Sequence, residues 1–179
     1  MIELSIDIRG LEDVIRRLGA TEKVVQQSMR SALGKMAAWT KTRSARGLSK
    51  ELKLQQKILR RRMRAKPVRR TSRGAQATLW YGLNNVPLIY LNARRNRRGV
   101  AAYAGRQVDA GFIATGGRRP TKEVFKREGR ARMPIKRQTE SIAQESTGYL
   151  EDMIGEAEYQ AHFQKLFLNQ LQWRMQRQK

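Results

Sequence analysis

The sequence predicts an α+β fold: an N-terminal strand and helices, a small antiparallel β-sheet with a β-hairpin, and a long C-terminal helix. Three observations lead there. Ile2, Leu4, Ile6 and Ile8 alternate with Glu3, Ser5 and Asp7, the period of a half-buried strand. Val25, Met29, Ala32, Leu33 and Met36 recur at helical spacing. Between Ala75 and Thr115, runs of β-branched and aromatic residues are punctuated by Asn and Gly, which reads as short strands and turns.

Taken in order, Gly10 ends the first strand, and Leu11, Val14, Ile15 and Leu18 predict a short helix closed by Gly19. Thr21 can cap the next helix, whose stripe extends through Trp39 and Thr40 toward Arg43. Gly47 is expected to break it, with Ser49 capping a second run from about Lys50 to Arg64. Leu52, Leu59 and Met63 give that run one apolar edge. Pro67 and the residues to Gly74 read as a basic connector without periodicity. Ala75 to Leu83 and Leu88 to Leu91 are strand-forming and flank an Asn84-Asn85 turn. Asn92 to Gly99 reads as a mobile loop. Val100 to Ala104 and Gln107 to Thr115 resume strand character, with Gly111 marking a bulge. Gly116-Gly117 and Pro120 bracket a further loop. After a polar stretch from Gln138, one last helix is predicted from Tyr149 to about Gln176. The chain thus divides into residues 1–147, an α+β domain with basic loops, and 148–179, a helix for packing or assembly.

The charge balance says most about partners. The 179 residues carry 38 Lys+Arg against 15 Asp+Glu, a net charge of +23, which points to a polyanion. From Leu52 to Val108 there is no acidic residue, and Arg60, Arg61, Arg62, Arg64, Arg94, Arg95, Arg97 and Arg98 all lie there. The acids gather at Glu140, Glu145, Glu151, Asp152, Glu156 and Glu158, with no Lys or Arg between Arg137 and Lys165. Two readings fit: the basic segments face phosphate while the acidic one meets a neighbouring copy, or acid and base pair within one subunit. No zinc-finger or RNP1-like spacing is present, so the phosphate contact is expected to ignore base sequence.

Chemistry finds little support. There is no cysteine, a single histidine (His162), and no P-loop, GxGxxG or GxSxG. Asp7, Asp109 and Glu123 have no spacing that favours a metal. No enzyme, cofactor or metal site is therefore expected. The N-terminus does not read as a signal peptide, and no apolar run approaches the ~18 residues of a membrane span. The chain is expected to be soluble, intracellular at synthesis and without a membrane partner.

The stretch from Val124 to Ile135 reads as a hairpin. A two-residue turn at Glu128-Gly129 would set Val124 opposite Met133, Phe125 opposite Arg132 and Arg127 opposite Arg130. Val124, Ala131, Met133 and Ile135 would share one face, and Arg127, Arg130 and Arg132 the other. Opposed like charges destabilise a hairpin, so that face should border an anion, unless the arginines splay into solvent. Val124, Arg127, Gly129, Arg132, Pro134 and Ile135 also carry a resemblance to the minor tail protein Z family of long-tailed phages. Pro87 to Leu91 and Gly111 to Ile113 match more weakly, in the right order. The resemblance implies a structural virion protein that completes the head-proximal end of the tail and helps head-tail joining. It further implies a ring-like homo-oligomer beside tail terminator, tail tube or connector proteins, located in the virion near the neck and in host cytoplasm during assembly. Double-stranded DNA in the channel would face the arginines named above. The alternative, from another class, is a sequence-nonspecific nucleic-acid-binding protein of ribosomal or nucleoid type; a DNA-processing enzyme is the third.

In the last helix, Leu150, Ile154, Ala157, Ala161, Leu168, Leu171 and Met175 form one stripe, expected to pack on the domain. Tyr159, Phe163, Leu166, Phe167 and Trp173 extend beyond it. Tyr159, Phe163, Phe167 and Trp173 are expected to meet a partner, with Glu151, Asp152 and Glu156 as its polar rim.

Overall fold

The computed structural model describes residues 2–6, 21–71, 74–103, 105–115 and 121–177. The helix expected from Leu11 to Leu18 and the loop at Gly116-Gly117 and Pro120 lie outside them. The fold is mixed α and β with small antiparallel sheets, as its patterning predicts.

Helix α1, Glu22–Glu51, is the post on which the rest is built. Val24, Val25, Met29, Ala32, Leu33, Met36, Ala37, Ala45 and Leu48 are buried along it, covering more than one side. The break expected at Gly47 does not occur. Tyr149 crosses the helix there, and a Cβ on Gly47 would fall 1.7 Å from the phenol oxygen. Glycine is needed for close approach, not for a turn. The helix instead ends at Leu52, whose N–H donates to Leu48 O at 2.9 Å, and Lys53 (φ 53°) reverses the chain. Ser49 is no cap; its hydroxyl donates to Leu54 O. The second helix is reduced to α2, Gln56–Arg61.

The first sheet contains β1 (Ile2–Ile6), β2 (Met63–Ala65), β3 (Arg69–Thr71) and β4 (Gly74–Tyr81). β4 lies between β1 and β2, and β3 also pairs with it, so part of the basic connector is strand. Ala75, Ala77, Leu79 and Tyr81 alternate into the core and pack on α1. The hydroxyls buried with them are partnered: Tyr81 Oη with Ser44 Oγ at 2.9 Å, and Tyr159 Oη with Thr40 Oγ1 at 3.1 Å. Burial pushes the Tyr81 phenol up to about 12.

The second half begins with β5 (Val86–Pro87) and a 3-10 turn at Leu88–Leu91, where a strand was expected. β6 (Arg94–Asn96), β7 (Gly99–Ala102) and β8 (Arg106–Asp109) form one meander. β9 (Phe112–Thr115), β10 (Lys122–Arg127) and β11 (Ile135–Arg137) form a second sheet, and β12 (Thr139–Glu140) returns to β5. The strand expected from Gln107 to Thr115 is therefore two strands in different sheets. Ala110 (φ 55°) and Gly111 make the turn between them, where a bulge was expected.

The terminal helix is also two: α3, Ala143–Gly155, and α4, Ala157–Gln176, separated by Glu156 in an extended conformation. The division at 147/148 falls inside α3, and residues from both sides of it share one core. The break resets the helical phase, so a stripe inferred across one long helix mixes two faces. On α4 the buried set is Tyr159, Phe163, Phe167 and Leu171, which packs on α1, whereas Ala157 and Ala161 are exposed. Tyr159, Phe163 and Phe167 are thus core residues, which corrects their assignment to a partner surface.

Two glycines in α1 should respond oppositely. A Cβ on exposed Gly34 meets nothing within 4 Å, so Gly34→Ala should stabilise by about 0.5–1 kcal/mol. Gly47→Ala must displace Tyr149 and should destabilise by about 1–3 kcal/mol. Urea unfolding of the two variants compares the signs directly. A second expectation concerns alkali. Tyr81 has its pKa raised on folding, so the stability it adds is full below about pH 10 and is lost as pH rises toward about 12. Tyr81→Phe should flatten that part of the stability–pH curve.

Candidate nucleic-acid interface

Asn96 and Gly99 close the β6–β7 hairpin across Arg97 and Arg98. The Asn96 side-chain oxygen accepts from the N–H groups of Arg98 (3.0 Å) and Gly99 (2.8 Å), which fixes the turn. Gly99 has φ 146°, and a Cβ there would lie 2.3 Å from Val108 O. The arginine-rich stretch expected to be a mobile loop is therefore a paired hairpin.

Its tip is joined sideways to the second sheet. Arg98 O accepts from Ala110 N–H at 2.8 Å, and two residues on, Phe112 opposes Phe125 with ring centroids 6.0 Å apart. Arg127, two residues further along β10, sets its guanidinium 5.8 Å from the Phe112 ring. Arg95 crosses from β6 to donate to Ile113 O at 2.6 Å. Around Phe112 lies a hollow of about 380 Å³ lined by residues 95–99 and 110–112. The end of β10 thus emerges beside the tip of β6–β7.

The two-residue turn expected at Glu128-Gly129 is not formed. Arg127 opposes Ile135 and Phe125 opposes Arg137, so residues 128–134 make a longer connection. Val124 is fully buried near the 3-10 turn while Phe125, pointing the other way, packs on Phe112. With both faces of β10 covered, no apolar face can separate from an arginine face. Arg127 keeps its place on the strand, Arg130 and Arg132 are exposed on the loop, and Met133 is 64% exposed beside them.

Acid and base do pair within the subunit. Arg43 binds Glu156 at 2.6 Å and Glu158 at 2.8 Å, which holds the Glu158 carboxyl below its ordinary range. Arg106 binds Glu140 at 2.7 Å and reaches Glu145 at 3.9 Å, Arg137 binds Glu123, and Lys136 lies 3.9 Å from Glu128. Glu156 is therefore engaged internally, whereas Glu151 and Asp152 are exposed on α3 without an ion pair among the described residues. Among those residues Arg94, Arg97, Arg98, Arg130 and Arg132 also have no carboxylate partner.

Arg60, Arg61, Arg62 and Arg64 lie elsewhere, on α2 and at the edge of the first sheet. Arg62 donates to the carbonyls of Asn84 (2.5 Å) and Asn85 (3.2 Å), so it braces the loop after β4. Arg64 lies over Trp80 at 5.9 Å, and Arg60 reaches only Gln56. Trp173 is 45% exposed, but Arg174 and Arg177 lie 5.5 and 4.3 Å from its ring. His162 stacks on Trp39 at 4.2 Å. Among the described residues no three His, Cys, Asp or Glu come together as a metal site, and no helix is long and apolar enough to cross a membrane. Phe112, the pivot between the two tips, lies in the weakly matching Gly111 to Ile113 stretch, but nothing in the sequence marks it as a pivot. Asn96 and Gly99 do carry a signal: Asn-x-x-Gly is a turn spacing. No family model, curated protein or solved structure matches this chain.

The two groups of arginines should separate by experiment. Arg62→Ala should cost about 1 kcal/mol in thermal or urea unfolding, because it removes charged hydrogen bonds to a backbone loop. Arg97→Ser with Arg98→Ser should leave stability unchanged and weaken binding to duplex DNA, read by fluorescence anisotropy.

Proposed function

We propose that this chain is a structural protein of a long-tailed phage or prophage particle. It completes the head-proximal end of the tail and sets its arginine tips against DNA in the channel. One observation carries the nucleic-acid part: Arg97, Arg98, Arg130 and Arg132 are exposed on neighbouring hairpin tips with no carboxylate partner among the described residues, while Arg43, Arg106 and Arg137 are neutralised. Uncompensated guanidiniums grouped on one edge lower their repulsion by binding a polyanion. The positions resembling the minor tail protein Z family, Val124 to Ile135, fall on β10, its loop and β11, the same edge. The role is non-enzymatic. Copies of the chain form a ring, with tail terminator, tail tube or connector proteins as neighbours.

Duplexes of unrelated sequence should bind with similar affinity. For ~6 phosphate contacts the slope of log K against log salt should be about −5. Arg94→Ser, Arg97→Ser and Arg98→Ser together should flatten it. Particles assembled without the protein should carry tails that fail to join heads. Joined, infectious particles combined with steep DNA binding by the free chain would instead favour a ribosomal or nucleoid-type nucleic-acid-binding protein.

A further inference from the structure

The loop between β10 and β11 carries an exposed apolar side chain among mostly basic neighbours. Met133 is 64% exposed and Ile135, at the start of β11, 38% exposed. Around them stand Lys126, Arg127, Arg130, Arg132 and Lys136, all exposed, with Glu128 as the single acid, itself 3.9 Å from Lys136. Exposed apolar side chains at a tip are free to be buried by a partner, and the basic surround favours one that is anionic and also offers an apolar cleft. A second copy of this chain is the weaker match, because the chain as a whole is +23 and Glu123, Glu140, Glu145, Glu156 and Glu158 are already held by Arg137, Arg106 and Arg43, which leaves Glu151 and Asp152 on α3 as its exposed acidic pair. Duplex DNA offers both requirements together: phosphates along the groove walls, and an apolar space between base pairs once a step is opened.

We infer that Met133, supported by Ile135, is a wedge that enters the minor groove and partly unstacks a base step, while Arg130 and Arg132 hold the flanking phosphates. This rests on the nucleic-acid contact proposed above and adds its mode. The second tip suits the geometry. Arg97 and Arg98 lie beside the emerging loop, joined to it through Ala110, Phe112 and Phe125, so they can reach the backbone next to the opened step. Opening is easiest at flexible pyrimidine–purine steps, so insertion should favour them even though no base edge is read.

The test uses the full chain and a short duplex with 2-aminopurine beside a central TA step, plus a copy with donor and acceptor dyes at its ends. Binding of the wild type should raise 2-aminopurine fluorescence and bring the ends closer. Met133→Ser with Ile135→Ser, both exposed positions, should keep the circular dichroism spectrum and the salt slope but lose both signals. Met133→Leu should retain them. Salt-dependent binding by the wild type without unstacking or bending overturns the wedge and leaves the phosphate contact standing. No binding at any salt overturns both. If the Ser variant unstacks DNA like the wild type, or if it shows a smaller oligomer by light scattering with its DNA signals unchanged, the tip is no wedge and the second result makes it a contact between copies.

Discussion

Everything in this molecule depends on the two-sided burial of α1. A chain with a net charge of +23 repels itself at every separation its folded form allows, and exposed ion pairs such as Arg43 with Glu156 and Glu158 return little against that. Cohesion has to be apolar. α1 provides it by packing β4 on one side and α4 on the other, with Leu33, Met36, Leu48, Tyr81, Phe167 and Leu171 almost without exposure. Large side chains buried to this degree each contribute about 1.5–3 kcal/mol. The hydroxyls that line the seam, Ser28, Thr40 and Ser44, are each hydrogen-bonded, which removes the cost of burying them.

The arginine-bearing half is an extension of the same core. Val86, Leu88, Leu91, Val100 and Val124 join the cluster that includes Leu33 and Phe167, so both hairpins are rooted in it. Nearer the tips the guanidiniums are held in another way. Arg95 is tied to a carbonyl, Arg127 lies over Phe112, and the backbone of Arg98 is gripped by Asn96. All three partners are neutral. They orient the arginines without cancelling their charge, whereas a carboxylate would have done both.

The class of fold was legible because it rests on periodicity, and period 2 at Ala75, Ala77, Leu79 and Tyr81 or helical spacing from Val25 to Met36 survives in the structure. What failed rests on single residues whose role tertiary contacts decide. Gly47 looks like a breaker until Tyr149 is seen against it. The helix break at Glu156 has no proline, and its one local mark is Gly155, the last residue of α3; a lone glycine does not by itself announce the change of phase that sends Tyr159, Phe163 and Phe167 inward. The hairpin register failed for a related reason. Alternation set Val124 and Ile135 on one face, but β10 is covered on both, and a strand with two buried faces has no alternation to read. Of the candidate site, the arginine types were legible and their grouping was not. Arg62 and Arg97 look alike in a basic run, yet one braces a loop and the other projects from a tip.

Charge segregated along a sequence need not be segregated in space. The acidic stretch after Arg137 is separate along the chain, yet Arg43 lies against Glu156 and Glu158, and Arg106 against Glu140 and Glu145, which is the intrasubunit pairing of the two readings. Folding brings distant signs together and leaves a remainder, and the remainder sets the external field. The paired tips around Phe112 carry one group of that remainder, and Arg60, Arg61 and Arg64 form another, separate group. At physiological salt such a field decays over about 8 Å. It can guide a phosphate backbone that is already close, but it cannot select a partner from afar. Selection then falls to the exposed side chains between the arginines, and to whatever assembly holds the edge against its target.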